Sequence, residues 1–279
     1  MAQVTAIVDA HVHIHACYDI DEFFDHAYRN LSRARPRTAD SPSAFYLMLT
    51  ECADDNYFDA LRQLALGATA EAAAGTQGLR LRRWAVATTS EDESLVVSEG
   101  GRRLILVAGR QVACKEGLEV LLLGTTGRFQ DRRSIKEVLA EGAALGVPQV
   151  IPWGAGKWFF GRARLLSQLV RANRGPLFFL GDEGGRPAFW PYPRHFREAA
   201  ALGVRDLPGT DPLPFAHDIE KVGRVGFSMS LDLDEGAPAR SLLSALREGR
   251  PFERFATLEP PGRFVRNQLA MQLRKRQSA

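Results

Sequence analysis

Residues 4 to 15 read Val4-Thr5-Ala6-Ile7-Val8-Asp9-Ala10-His11-Val12-His13-Ile14-His15. The first half is short, apolar and β-branched, the pattern of a buried strand. Asp9, His11, His13 and His15 then occupy alternate positions. Side chains alternate faces along a strand, so this spacing predicts a carboxylate and three imidazoles on one face at the strand's C-terminal end. Two neutral imidazoles so placed can share one divalent ion such as Zn, Mn or Fe. Asp9 would orient a ring from behind, and His15 would lie past the strand. The plainer alternative is a strand of buried, hydrogen-bonded histidines with no ion.

Outward from this strand the pattern alternates. Helical spacing predicts a helix over 21–32, an apolar run over 44–50 predicts a second strand, and 56–74 reads as a helix. Five short strand-like runs follow between 79 and 124, with hairpin turns at Glu99-Gly100-Gly101 and Lys115-Glu116-Gly117. Helices are then predicted over 134–145, 161–172 and 194–201, with strands over 149–152, 177–180 and 205–207 between and after them. Alternating strands and helices imply an α/β protein with a mostly parallel sheet. A distorted (β/α) TIM-like barrel fits this length as one domain. The expected organisation is a barrel over 1–235, containing the central meander 79–124, and a helical extension over 236–279. The basic, amphipathic piece at 264–276 would pack on the barrel or join two copies in a homo-oligomer.

The 279 residues are 45% hydrophobic and 25% charged, and the formal net charge is +3. Basic and acidic residues are mixed along the chain, which argues against nucleic acid as a partner. Cys17, Cys52 and Cys114 are odd in number and lack CxxC spacing, so they are read as reduced thiols. The first apolar run carries Asp9 and three histidines, so no signal peptide is expected there. No stretch reaches the ~20 apolar residues that span a bilayer. The expectation is a cytoplasmic protein with no membrane partner.

Catalysis at an ion needs carboxylates besides histidines. Glu51, Asp182 and Asp211 stand where strands are predicted to end. In a parallel barrel those ends share one face, so all three are expected to join His11 and His13 as metal ligands. Two Gly-rich basic turns, 152–158 and 184–187, bring Lys157, Arg162 and Arg186 as binding groups for a substrate anion. The aromatics Trp153, Trp158, Phe159 and Phe160 would wall the pocket. Asp211, Lys157 and Arg186 are the expected catalytic residues, Asp211 as an acid or base and the two cations as charge stabilisers. Neither a GxSxG elbow nor a GxGxxG fingerprint occurs.

The motif Asp9-Ala10-His11-Val12-His13 resembles the opening of the PHP (polymerase and histidinol phosphatase) superfamily, and also that of the amidohydrolases. Residues 104–125 are similar to the PHP stretch in which a Gly-x-Glu strand precedes a turn and a His-containing strand. Pro152-Trp153-Gly154 resembles the place of its His-Pro pair, and Gly209-Thr210-Asp211 its late Gly-Ser-Asp motif. The chain departs from that pattern at four places. Gln111 stands for the Glu, residues 121–123 lack the His, Trp153 stands in the His-Pro turn, and Pro212 follows Asp211 where Ala-His is usual. His217 lies six residues beyond Asp211.

The resemblance implies a distorted barrel of the PHP type and a metal-dependent hydrolase, typically a phosphoesterase using metal-activated water on a small anionic substrate. The departures imply one or two ions in place of a full trinuclear set. Two rivals remain open. One is a catalytically degenerate barrel that binds an anion or a protein. The other is an amidohydrolase-type enzyme that cleaves C–N bonds.

Overall fold

The computed structural model describes residues 2–37, 41–68, 79–154, 156–159, 161–187 and 192–277. Its elements run β1 (Ala2–Val12), α1 (Ile20–Arg33), β2 (Ser43–Leu49), α2 (Tyr57–Ala65), β3 (Ala85–Thr88), β4 (Ser94–Glu99), β5 (Arg102–Val107), β6 (Gly109–Ala113) and β7 (Glu119–Leu123). They continue α3 (Ile135–Leu145), β8 (Gln149–Pro152), α4 (Gly161–Ala172), β9 (Phe178–Glu183), α5 (Arg194–Ala201) and β10 (Arg205–Gly209). A short 3-10 helix (Ala216–Lys221), β11 (Val225–Leu233), α6 (Pro238–Arg247), β12 (Glu253–Ala256) and α7 (Pro261–Gln277) follow. Of the helix predicted over 56–74, residues 69–74 lie outside the described residues, as does Phe160.

Local chemistry sets the helix ends. The Asp19 carboxylate accepts the N–H groups of Asp21 (3.0 Å) and Glu22 (3.1 Å) at the start of α1. Ser134 and Glu137 form a reciprocal capping box at α3, which stops at Gly146 in the left-handed conformation.

The strands form two sheets. The first has the order β12-β11-β1-β2-β5-β4-β3, the second β10-β9-β8-β7-β6. Here the structure departs from the single, mostly parallel ring expected from the alternation. The central meander is split between the sheets. β3, β4 and β5 extend the first one antiparallel to each other, whereas β6 and β7 open the second. The chain passes from one to the other at Ala108, the single residue between β5 and β6.

The sheets touch at both edges of the second one. Beside β6, the Glu51 N–H donates to Gly109 O (3.2 Å) and the Gln111 N–H to Glu51 O (2.9 Å). Beside β10, the Asp211 N–H donates to His11 O at 2.8 Å. Between the sheets lies an apolar cluster that includes Val8, Tyr46, Met48, Leu123, Phe179 and Phe227. Helices α1 and α2 cover the outer face of the first sheet, and α3, α4 and α5 that of the second, each over its own cluster. α6 adds Ala239, Leu242 and Leu246 to the inner cluster. Within 236–279 the chain also returns to the sheet, because β12 pairs antiparallel with β11, a strand that the helical pattern of this region did not announce. Among the described residues no helix is long and apolar enough to cross a membrane.

Two backbone features, one in β1 and one in β10 beside it, aim the histidines. The pairing of β1 with β2 shifts between Asp9 and Val12, as at a β-bulge. Before the shift Val4, Ala6, Val8 and Ala10 face the inner cluster, and beyond it Val12 and Ile14 face the cluster under α1. His11 and His13 thereby turn inward, whereas Asp9 does not share their side. The second feature is Gly209. A Cβ there would lie 2.3 Å from His11 N and 2.4 Å from His11 Cβ. Only a residue without a side chain lets β10 approach β1 this closely. Gly209→Ala should therefore lower stability by ~1–3 kcal/mol through overpacking, read from urea unfolding midpoints. Gly175→Ala, where a Cβ meets nothing within 4 Å, should leave the midpoint near that of the parent.

Candidate metal centre

His11 and His13 are buried, and their Nε2 atoms lie 3.0 Å apart. Asp211 Oδ1 lies 3.6 Å from His11 Nε2 and 3.5 Å from His13 Nε2. The three donors form a ligand group of the kind that holds a cation. The spacing fits the chemistry. Donors bound at ~2.0–2.1 Å to one tetrahedral ion stand about 3.4 Å apart. Asp211 reaches this position because its backbone is left-handed (φ 49°), a conformation that Asp tolerates better than most residues. Gln111 Oε1 adds a fourth polar atom, 3.1 Å from His11 Nε2.

The electrostatics suit a ligand set. Burial, reinforced by His11, pushes the His13 pKa down to about 3, so its ring is neutral and its lone pair available. Burial works to raise Asp211, but His11 and His13 beside it bring its pKa to about 2. Glu183 Oε1 lies 3.4 Å from His11 Nδ1. Burial and the neighbouring Asp211 raise the Glu183 pKa well above its ordinary value. Neither His11 Nδ1 nor His13 Nδ1 has a hydrogen-bond partner among the described residues. A carboxyl group behind the distal nitrogen of a histidine is the usual support for a metal ligand.

A second ligand group shares His13. It joins His13 to Cys52 and Asp55, both in the turn between β2 and α2. Burial and Asp55 push the Cys52 thiol up to about 12, and the Gln111 amide points to its sulfur at 3.9 Å.

Of the predicted ligands, His11, His13 and Asp211 are brought together, and two are not. The Glu51 carboxylate accepts the Phe58 N–H at the start of α2 (2.8 Å) and pairs with Arg110 (3.2 Å). Asp182 is clamped by Arg186 at 2.9 and 3.1 Å and is bonded by Arg254. Both therefore have partners away from the histidines. Asp9 serves the backbone, accepting the N–H groups of Thr210 (2.8 Å), Gly223 (2.9 Å) and His11 (3.3 Å). His217 also lies elsewhere, 3.2 Å from Asn267 and 3.3 Å from Asp218. His15 bonds to Pro212 O at 2.8 Å.

The predicted anion binders separate as well. Lys157 lines a cleft of about 160 Å³ with Glu183 and Asp211, where its ammonium is ion-paired to Glu119. Burial opposes that charge, yet Glu119, Glu183 and Asp211 outweigh it and raise the Lys157 pKa. Arg186 is committed to Asp182 and is buried. Arg162 bonds to Gly156 O (2.8 Å) and lines a different surface pocket with Glu116 and Phe159. Of the three, Lys157 alone faces the cleft beside Asp211. The residues that sequence reasoning passed over are Glu183, Cys52 and Asp55.

No protein-family model matches the chain, and no curated relative matches it. Solved structures do. PsfC from Pseudomonas syringae PB-5123 is similar with a TM-score of 0.57 at 15% identity, over 98% of this chain and 99% of that one. The lesion-specific endonuclease PfuEndoQ from Pyrococcus furiosus gives a TM-score of 0.45 at 11% identity, over 90% of this chain and 57% of that one. The likeness to PsfC is one of fold, and it runs the length of both chains.

The different partners of Asp182 and Glu183 make a test. Asp182→Ala leaves a buried arginine uncompensated and should cost ~3–5 kcal/mol of stability, with Zn uptake unchanged. Glu183→Gln should leave stability nearer the parent and lower Zn affinity ~10–100-fold. Urea unfolding beside Zn titration reads both.

Proposed function

We propose that this chain is a metal-dependent hydrolase that acts on a small anionic ester, a phosphate ester foremost. The observation that carries the reading is the triangle of His11 Nε2, His13 Nε2 and Asp211 Oδ1, with sides of 3.0 to 3.6 Å. These three residues would hold a Zn, Mn or Fe ion, and Cys52 and Asp55 would hold a second one next to His13. A divalent ion supplies Lewis acidity and makes water a competent nucleophile near neutral pH.

The chain's own groups would do the rest. Glu183, 3.4 Å from the distal nitrogen of His11, would orient that ring. The Gln111 amide spans His11 and Cys52 and fixes both. Asp211 and Glu183, in contact and with pKa values pushed apart, are the pair able to hand a proton between them. Lys157 offers positive charge at the cleft wall for an anion that arrives there. The two seams between the sheets support reading the fold as an opened, distorted barrel of the PHP type, with the histidines at its mouth. On the same reading the protein works in the cytoplasm, and α7 belongs to an extension at 236–279 appended to the barrel at 1–235.

A degenerate barrel without catalysis is favoured by one observation. The position beside His11 carries the neutral amide of Gln111, where a carboxylate would offset the charge of a second ion. Metal content and turnover separate these readings. Protein purified without chelator or affinity tag should carry near-stoichiometric transition metal by elemental analysis, and it should hydrolyse aryl phosphates faster than aryl amides. The His11→Ala/His13→Ala variant should lose both the metal and the turnover, whereas Glu51→Gln should keep its metal. Bound metal without turnover would favour the binding module. Faster amide cleavage would favour the C–N hydrolase, and undiminished hydrolysis by the double variant would sink the metal mechanism.

A further inference from the structure

We propose that α7 is the substrate-selecting roof of the metal cleft, and that the substrate is an anionic ester whose group in the cleft is compact and apolar. The proposal rests on the hydrolase reading above.

Phe264, Asn267, Gln268 and Met271 line the same cleft as Lys157, Glu183 and Asp211. They are spaced i, i+3, i+4 and i+7, which is one face of a helix. Val265 and Leu269, on other faces, are exposed. α7 thus presents to the cleft a face of two apolar and two amide side chains.

Its seating is fixed by two of its residues. Asn267 is buried, and its amide meets His217 (3.2 Å) and the buried carboxylate of Asp218 (3.4 Å). Arg263 donates to His217 O at 2.8 Å. Asp218 in turn accepts the Leu213 N–H at 3.1 Å, two residues beyond Asp211. The roof and the ligand-bearing turn are therefore tied through one carboxylate. Phe264, Gln268 and Met271 complete the face toward the cleft, and the Gln268 amide makes no hydrogen bond among the described residues.

The lining sorts by chemistry. Lys157, Glu183, Lys221 and Glu259 are charged or ionisable groups of the lining near the candidate ligand Asp211, and Trp153, Leu213, Phe264 and Met271 are its apolar side chains. On the hydrolase reading the anionic head is held at the ion, and an apolar body would meet the apolar side chains. The cleft holds about 160 Å³, below the ~300 Å³ at which pockets for drug-sized ligands begin. One small organic group fits this space.

The test uses full-length, Zn-loaded protein and two non-hydrolysable probes, phenylphosphonate and methylphosphonate, by titration calorimetry. The parent should bind the phenyl compound ~10-fold or more tighter, the order expected for burying an aryl ring. Phe264→Ala/Met271→Ala should bring the ratio close to one with methylphosphonate affinity unchanged. Met271→Trp, which fills the space instead of emptying it, should lower the ratio by excluding the ring. Equal binding of the two probes by the parent, or a ratio untouched in both variants, overturns the roof and leaves the hydrolase reading standing. Binding of neither probe overturns the anion-ester reading and the roof with it.

Discussion

The Asp9 carboxylate is buried where three segments meet, and the arrangement around the candidate metal centre depends on what it binds. It accepts backbone N–H groups from β1 itself at His11, from the end of β10 at Thr210 and from the turn before β11 at Gly223. Burial raises its pKa to about 6 even with these donors around it. A buried acceptor surrounded by N–H groups is expensive to disturb, because each donor would then be unsatisfied. One side chain thus fixes β10 against β1 at the point where Gly209 permits backbone contact. The Asp211 N–H then reaches His11 O, and the Asp211 carboxylate is delivered to the two imidazoles.

Much of the fold was legible in the sequence, because strands and helices are written in local periodicity and turn chemistry. The division into two sheets was not. Which strands pair is decided by contacts far apart in the chain. The break at Ala108 separates two runs in the sequence but carries no signal that puts β5 and β6 in different sheets. β12 was hidden for a related reason. A four-residue strand at a sheet edge, with exposed or half-buried side chains, has too little alternation to stand out between two helical segments.

The site was legible where alternation was visible and failed where it was not. His11 and His13 were found from spacing, and Asp211 from its turn. Asp9 was assigned to their side because alternation was carried through a bulge that the sequence does not mark. Glu51 and Asp182 were chosen over Cys52 and Glu183 for a different reason. β2 and β9 are apolar on both faces, as strands buried on both sides are, so neither shows which parity points inward. The clusters do show it. Tyr46 and Met48 lie in the inner cluster, with Leu47 and Leu49 in the outer one, so parity continues through Thr50 to Cys52. Phe179 lies inward and Leu180 outward, so parity leads to Glu183 and leaves Asp182 to the arginines.

Charge balance joins the metal reading to the anion reading. The cleft is lined by the carboxyl groups of Asp211, Glu183 and Glu259, against the ammonium groups of Lys157 and Lys221. Both lysines are already engaged, Lys157 by Glu119 and Lys221 by Asp218 and Glu259. An anionic substrate entering such a cleft meets like charge at short range, in surroundings where screening is weak. The lysines offset this only in part, because each already has a carboxylate partner. A divalent cation on His11, His13 and Asp211 reverses the local sign, since bound ions are often the largest charges in a site. Asp211 belongs both to the group that would hold a cation and to the lining that would repel an anionic ester. The two halves of the proposed function therefore meet at Asp211, and a phosphate ester becomes an acceptable ligand through the ion that His11, His13 and Asp211 would bind.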